Sequence, residues 1–379
     1  MTAVIPADGG TDPGPVVIVN AGSSSLKVSV LRPDETVAGA LELDRWDGSP
    51  DHAGLTDFLR AAGRDGAWAI AHRVVHGGRR FRGPTRLDDH VIAGIGDLTD
   101  LAPLHQPRAL AGIEAAQATL PGVPGVACFD TAFHAGLPDS AASYALPRSW
   151  TGTFGLRRFG FHGLSHSYAA QRAGSLLGRD PGELRIVTCH LGAGASLAAV
   201  LRGKSVDTTM GFTPLEGLVM ATRSGSVDPG LLIWLQQHGQ VSVADLASGL
   251  EMKSGLAGLS GRPGGDMRDI LAAAAAGDQP ALLAVDVYLH RLRREIAAMA
   301  AAMNGVDALV FTGGVGEHSP QIRARAAAGL GFLGITIDQA RNEATADADI
   351  SGPGRVRVLV ITAREDIEMA RQTRTLLAP

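Results

Sequence analysis

Two stretches of the chain share one layout. Residues 16 to 31 read VVIVNAGSSSLKVSVL, and residues 186 to 201 read IVTCHLGAGASLAAVL. In each, an apolar strand runs into a small-residue turn with a central glycine (Gly22; Gly192 and Gly194). A serine–leucine pair (Ser25-Leu26; Ser196-Leu197) and a returning strand follow. Val16 to Val19, all β-branched, read as a buried strand. Lys27 to Leu31 alternate polar and apolar, as a strand with one covered face does. The copies lie about 170 residues apart. Similarity of this form points to a duplicated domain with one hairpin at the head of each half and a ligand between the halves.

The first turn, Asn20 to Ser25, offers a glycine and three hydroxyls beside free amides, and Lys27 adds a positive charge. Such a turn can present N–H and O–H donors to a phosphate. An ordinary polar hairpin would look the same. A third glycine-rich turn bears on the choice. Strand Ala308 to Thr312 enters Gly313-Gly314-Val315-Gly316-Glu317-His318, then Ser319 as a cap and Pro320 as the start of a helix. Strand, glycine turn and helix N-terminus together make a common nucleotide cradle. Neither a G-x-x-x-x-G-K-[ST] stretch nor a G-x-G-x-x-G fingerprint after the first strand occurs, which argues against P-loop and dinucleotide folds.

Strands alternate with helices in both halves, and the hairpins come first. The pattern predicts an α/β fold with a mixed sheet per half. Helices are expected over 55–62, 107–118, 165–177 with Ser165 as N-cap, 231–238, 242–249, 281–303 and 367–377. Residues 1 to 15, rich in Gly and Pro, read as a flexible tail. Residues 16–137, completed by a closing helix over 367–379, form one expected domain. Residues 138–366 form a second, nucleotide-binding one.

With 379 residues and 45% hydrophobic side chains, the chain can bury two cores. A net charge of −4 gives no footprint for nucleic acid. Cys128 and Cys189 each sit in an apolar run, which predicts buried free thiols in a reducing cytoplasm. No signal peptide or membrane-spanning stretch is visible, so a cytoplasmic location is expected. Arg73 and His76 stand out because they end an otherwise buried strand, AWAIAHRVV. Arg223 stands out in the irregular stretch DTTMGFTPLEGLVMATRSGSVDPG, whose composition suits a loop shaped around a ligand.

Seven motifs, VIVNAGSSSLK, HRVVHGG, FDTAFH, RRFGFHGLSH, CHLGAGAS, TPLEGLVMATRSGSVDPG and FTGGVGEHS, occur in the order found in the acetate kinases. The chain resembles that family from about residue 16 to about residue 371. The resemblance implies a duplicated ribonuclease H-like two-domain fold, shared with actin, heat-shock chaperones and sugar kinases, with mixed sheets and an interdomain cleft. It implies reversible phosphoryl transfer from ATP to acetate. It also implies Mg2+ as cofactor, with Mn2+ as an alternative, and a homodimer that binds neither nucleic acid nor membrane.

By the same resemblance, Arg73 and Arg223 hold acetate and the transferring phosphoryl group. His162 contacts the phosphoryl oxygens, and Asp130 lies near the metal and acyl phosphate. Glu365, with Asn20, helps hold the metal. Asn20, Ser23, Ser25 and Lys27 fall on the first phosphate hairpin. The nucleotide side comprises His190, Leu191, Gly192, Ala193 and Gly194; Asp266, Met267 and Arg268; and Gly313, Gly314, Val315, Gly316 and His318. Val75, Leu104, Phe161 and Pro214 match the pocket for the acetate methyl.

The chain departs from the family on the nucleotide side. Ala193 and His318 stand where asparagines are usual, and Gly265-Asp266-Met267-Arg268 replaces Asn-Asp-Phe-Arg. A shift in nucleotide affinity or base preference is expected. Two other classes are weighed against an acyl kinase. A non-enzymatic ATPase-fold switch needs no carboxylate clamp such as Arg73 with Arg223. A sugar kinase needs an aspartate base and polar sugar contacts where Val75, Leu104 and Phe161 stand.

Overall fold

The computed structural model describes residues 14–22, 25–50 and 52–378. The chain divides into two compact units: the described residues of Met1–Phe129 with Glu365–Pro379, and Asp130–Arg364. Of the expected tail over residues 1 to 15, residues 1 to 13 lie outside the described residues, as does Ser23.

The first unit is built on a six-stranded sheet of β1 (Val16–Ala21), β2 (Ser25–Leu31), β3 (Val37–Asp44), β4 (Ala69–Val74), β5 (Thr85–Arg86) and β6 (Gly125–Phe129), in the order β3-β2-β1-β4-β6-β5. β1 to β3 form an antiparallel meander. β4 joins β1 in parallel, β6 joins β4 in parallel, and β5 closes the edge antiparallel. The β1 run of aliphatics is buried throughout, so both faces of this strand are covered. Helix Ala53–Arg64 places Leu55, Leu59 and Ala62 on one stripe, and all three are buried against this sheet's core. Full burial of each leucine contributes about 1.5–3 kcal/mol. The closing helix Glu365–Leu377 buries Met369 and Ala370. Its Met369 carbonyl lies 3.9 Å from the Cys128 thiol.

The second unit repeats the wiring. Its sheet comprises β7 (Arg185–Leu191), β8 (Ala195–Leu201), β9 (Lys204–Thr208), β10 (Ala308–Thr312), β11 (Ala348–Asp349) and β12 (Arg357–Val360), in the order β11-β12-β10-β7-β8-β9. Again three antiparallel strands come first, two parallel strands follow, and an antiparallel edge strand ends the sheet. The two hairpins with which the sequence repeats are thus β1–β2 and β7–β8, each at the same place in its sheet. All five residues of β10 are buried. The long helix Gln279–Ala302, capped by Asp278, buries Tyr288, Leu289, Leu292 and Ile296. The fold is a duplicated two-domain α/β architecture.

Two local expectations are corrected. Helix 163–177 begins two residues earlier than its serine suggested. His162, in the left-handed region at φ 55°, occupies the N-cap, because the Gly163 amide donates to the Asp130 carbonyl at 2.9 Å. Ser165 lies inside the helix and uses its hydroxyl elsewhere. The stretch after β10 is also a short helix, Gly313–His318, rather than an open turn. Gly313 starts it at φ 76°, with the Leu191 carbonyl so close that a Cβ would lie 2.9 Å from it. Only glycine meets both conditions.

Candidate active site

In the first unit, the relevant side chains gather at the carboxyl ends of parallel strands, where an open α/β sheet leaves room for a ligand. Asn20 and Arg73 occupy such positions on β1 and β4, and Arg73 Nη1 donates to Asn20 Oδ1 at 3.1 Å. Val75 and His76 follow and are buried. The turn between β1 and β2 closes on the Gly22 amide, which donates to the Ser25 carbonyl at 2.8 Å. Lys27, opposite both Asn20 and Glu42 in the sheet, pairs with Glu42 at 2.7 Å, and both are mostly exposed. Leu104 is 55% exposed and sits in a loop. Glu365 opens the closing helix.

In the second unit, β7 and β8 display Thr188, His190 and Ser196 on one face, because alternate residues share a face and His190 is paired with Ser196. The helix that starts after His162 presents Ser165 and His166 to that face. Ser165 Oγ lies 2.7 Å from His190 Nδ1, and His162 Nδ1 lies 2.9 Å from Ser196 Oγ. The rings of His162 and His190 stack, with centroids 4.4 Å apart. Phe161 and Asp130 are buried beside this helix start.

Arg223 reaches the same place from the irregular loop. A Cβ built on Gly194 would lie 3.4 Å from His162 Nε2 and 3.5 Å from Arg223 Nη1. The imidazole and the guanidinium therefore converge on the glycine turn. Burial disfavours the charge on Arg223 and lowers its pKa, so an anion in contact with it gains a poorly solvated cation as partner. Arg223 Nη1 also donates to the Pro214 carbonyl at 3.2 Å. The loop is braced from behind. Arg158 pairs with Glu216 at 2.7 Å, and Tyr144 donates to the other Glu216 oxygen at 2.6 Å.

Beside this turn lies a cavity of about 570 Å3. Gly192 and Ala193 line it from the hairpin, Asp266, Met267 and Arg268 from the second glycine-rich stretch, and Gly314, Val315 and His318 from the short helix. Three segments far apart in sequence thus meet around one space of ligand size. His190, Leu191, Gly194, Gly313 and Gly316 do not line it. Asp266 caps helix Met267–Ala275 and holds Arg268 in an ion pair.

Among the described residues no group of three or more His, Cys, Asp or Glu side chains could hold a metal ion. Asp130 in the second unit, and Glu365 and Asn20 in the first, each carry a side-chain oxygen, the donor type that a hard cation such as Mg2+ takes.

The acetokinase family model matches residues 54–371. An acetate kinase of Clavibacter sepedonicus is 47% identical over 389 aligned positions, covering 94% of this chain and 98% of that protein. The chain belongs to the acetokinase family. The crystal structure of Porphyromonas gingivalis acetate kinase superposes with a TM-score of 0.88 at 36% identity, covering 96% of this chain and all of that one. A propionate kinase from Francisella tularensis gives 0.87 at 34%, covering 95% and 98%.

Sequence reasoning on this acetokinase missed several side chains. Glu317 is buried, and its Oε1 accepts from the amides of Gly313 at 2.8 Å and Ala363 at 3.0 Å. It ties the cavity's short helix to the segment that leads into Glu365. A carboxylate inside a run of glycines was the available signal. Tyr288, Leu256, Leu271 and Ala221 also line the cavity, and nothing in their spacing marked them. Tyr288 is buried, and its hydroxyl has no hydrogen-bond partner among the described residues.

Proposed function

We propose that this chain transfers the γ-phosphoryl group of ATP to acetate, giving acetyl phosphate and ADP, and catalyses the reverse. The observation that carries the reading is the convergence of Arg223 and His162 on the glycine turn beside the cavity. A carboxylate of ordinary pKa is ionised at pH 7, so the nucleophile needs no base. What it needs is cancellation of charge as an anion meets a polyanion, and a desolvated arginine and an imidazole donor supply that. The γ-phosphoryl group would sit against Gly194, His162 and Arg223, with the nucleoside along Ala193, Met267 and Val315. Arg73, oriented by Asn20, would hold the carboxylate in line through its two-point fork. Mg2+ would be held by Asp130, Glu365 and Asn20, and would neutralise part of the phosphate charge.

Phe161 and Pro214 of the second unit would contribute to the methyl pocket. A pocket of this kind distinguishes one methylene by only about 1–3 kcal/mol. Propionate is therefore the second substrate, a reading that the likeness to a propionate kinase also supports.

The assembly would be a homodimer in the cytoplasm. Helices Pro229–His238 and Val243–Met252 bury none of their own residues and expose Ile233, Trp234, Val243 and Met252. That is the apolar surface a second copy would cover. Both cysteines are buried and free, as a reducing compartment allows.

Hydroxylamine trapping of acyl phosphate tests the activity. Acetate should give the most ATP-dependent hydroxamate, propionate less and butyrate least. If no acid gives any, the proposal fails.

A further inference from the structure

Four side chains of the second unit form one continuous file of hydrogen bonds. Thr188 Oγ1 lies 2.8 Å from His166 Nδ1, His166 Nε2 lies 2.8 Å from Ser196 Oγ, and Ser196 Oγ lies 2.9 Å from His162 Nδ1. Thr188, His166 and Ser196 are all fully buried. The sheet supplies Thr188 and Ser196 from adjacent strands on one face, and the helix supplies His162 and His166 one turn apart.

Such a file can run in only two directions. Burial, with His134 and His190 nearby, holds His166 far below the ordinary histidine range. Its ring therefore carries one proton, and one nitrogen donates while the other accepts. If His166 Nδ1–H donates to Thr188, the Thr188 proton must go to the Ala198 carbonyl at 3.5 Å, which is too long for a hydroxyl donor. In the other direction, Thr188 O–H donates to His166 Nδ1 at 2.8 Å, and His166 Nε2–H donates to Ser196. Ser196 O–H then donates to His162 Nδ1. Every proton in the file has a partner at normal distance only in this second arrangement.

We infer that Thr188, His166 and Ser196 are positioning residues that fix His162 as the neutral tautomer with its proton on Nε2. Nε2 is the nitrogen that faces Gly194 and Arg223. The file thus keeps a hydrogen-bond donor, rather than a lone pair, toward an incoming phosphoryl oxygen. The stacked ring of His190, itself hydrogen-bonded to Ser165, holds the plane of His162. The functional meaning of the tautomer rests on the phosphoryl role proposed above for His162; the tautomer itself does not.

The test is two-bond 1H–15N correlation NMR of the full-length enzyme labelled at histidine nitrogens, at pH 7.5, with His162→Gln to assign the signal. His162 should show a bare Nδ1 and a protonated Nε2. Thr188→Val removes the starting donor without changing shape, and should convert that pattern to a tautomer mixture. Its kcat should fall roughly tenfold, with KM values for both substrates unchanged. That is less than the ~10²–10³ that outright loss of a transition-state donor costs. Thr188→Ser should restore both readouts. A protonated Nδ1 in the unmodified enzyme, or a Thr188→Val spectrum identical to it, would overturn the relay. If the tautomer is as stated but His162→Gln leaves kcat intact, the relay stands and the phosphoryl role of His162 fails instead.

Discussion

Arg73 Nη1 donates to Asn20 Oδ1 at 3.1 Å, joining side chains at the carboxyl ends of two parallel neighbours, β1 and β4. The register forces the meeting, since Val19 paired with His72 is the last position at which β1 and β4 are paired, and Asn20 and Arg73 come next on the two strands. A hydrogen bond to a charged group is worth about 1.5–3 kcal/mol. Asn20→Ala should therefore lower kcat/KM for acetate by about 10- to 100-fold, each 1.4 kcal/mol being one factor of ten. Steady-state kinetics with varied acetate checks this. Unchanged kcat/KM would mean that Arg73 is held in place without Asn20.

Arg223 approaches the glycine turn together with His162, so its loss should be felt in the transition state. Arg223→Ala should reduce kcat by about 10³-fold or more, the scale of an arginine acting on a transferring phosphoryl group. A change confined to KM would assign Arg223 to ground-state binding alone.

Ala193 and Met267 both line the cavity, and neither carries a hydrogen-bonding amide or an aromatic ring. A base placed against them would be contacted mainly by shape. The kcat/KM values for ATP, GTP and ITP should consequently lie within about tenfold, the low end of what one methylene-sized difference in pocket contact is worth. Strict ATP selectivity at an ordinary KM would refute this, and would direct attention to the buried hydroxyl of Tyr288.

Much of this was legible in the chain because the chemistry of strands and glycine turns is local. The hairpins β1–β2 and β7–β8 could be read from apolar runs flanking small residues, and Ala308–Thr312 from its unbroken hydrophobicity. The helix beginning after His162 was misread because its start is set by a distant group, the Asp130 carbonyl. A serine with a helical sequence after it carries no sign that its hydroxyl is already committed to His190. Glu317 and Tyr288 were missed for the same reason. Their roles come from what the fold brings beside them, Ala363 for one and the cavity for the other.

Acid should weaken this protein from within. Burial lowers the pKa of His134 from 6.5 to about 4, opposed in part by the Phe161 carbonyl and the Asp130 charge. The folded state thus keeps His134 neutral, while the unfolded chain takes up a proton near pH 6.5. The unfolded state binds more protons between pH 6.5 and about 4, so stability is full above that window and is lost as pH falls through it. The contribution is on the order of 3 kcal/mol at most. His72, lowered to about 3 by burial, adds to the loss. Urea unfolding at pH 7.5 and pH 5 should show the drop, and His134→Gln should flatten it. An equal drop in that variant would place the cause elsewhere.

Trp234 is 54% exposed and Ile233 55%, on a helix of ten residues that buries none of them. Leaving about half of each side chain in water forgoes part of the ~1.5–3 kcal/mol that full burial of a large apolar side chain contributes. Exposed apolar patches of this kind are characteristic of contact surfaces. In a symmetric dimer the same helix would serve both partners, so one substitution acts twice. Ile233→Glu with Trp234→Glu puts two charges per copy on that surface, four across the pair. Sedimentation velocity should report a dimer for the unmodified chain and a monomer for this variant, with circular dichroism unchanged because neither residue is buried in its own unit. An unaltered dimer would move the interface to another face.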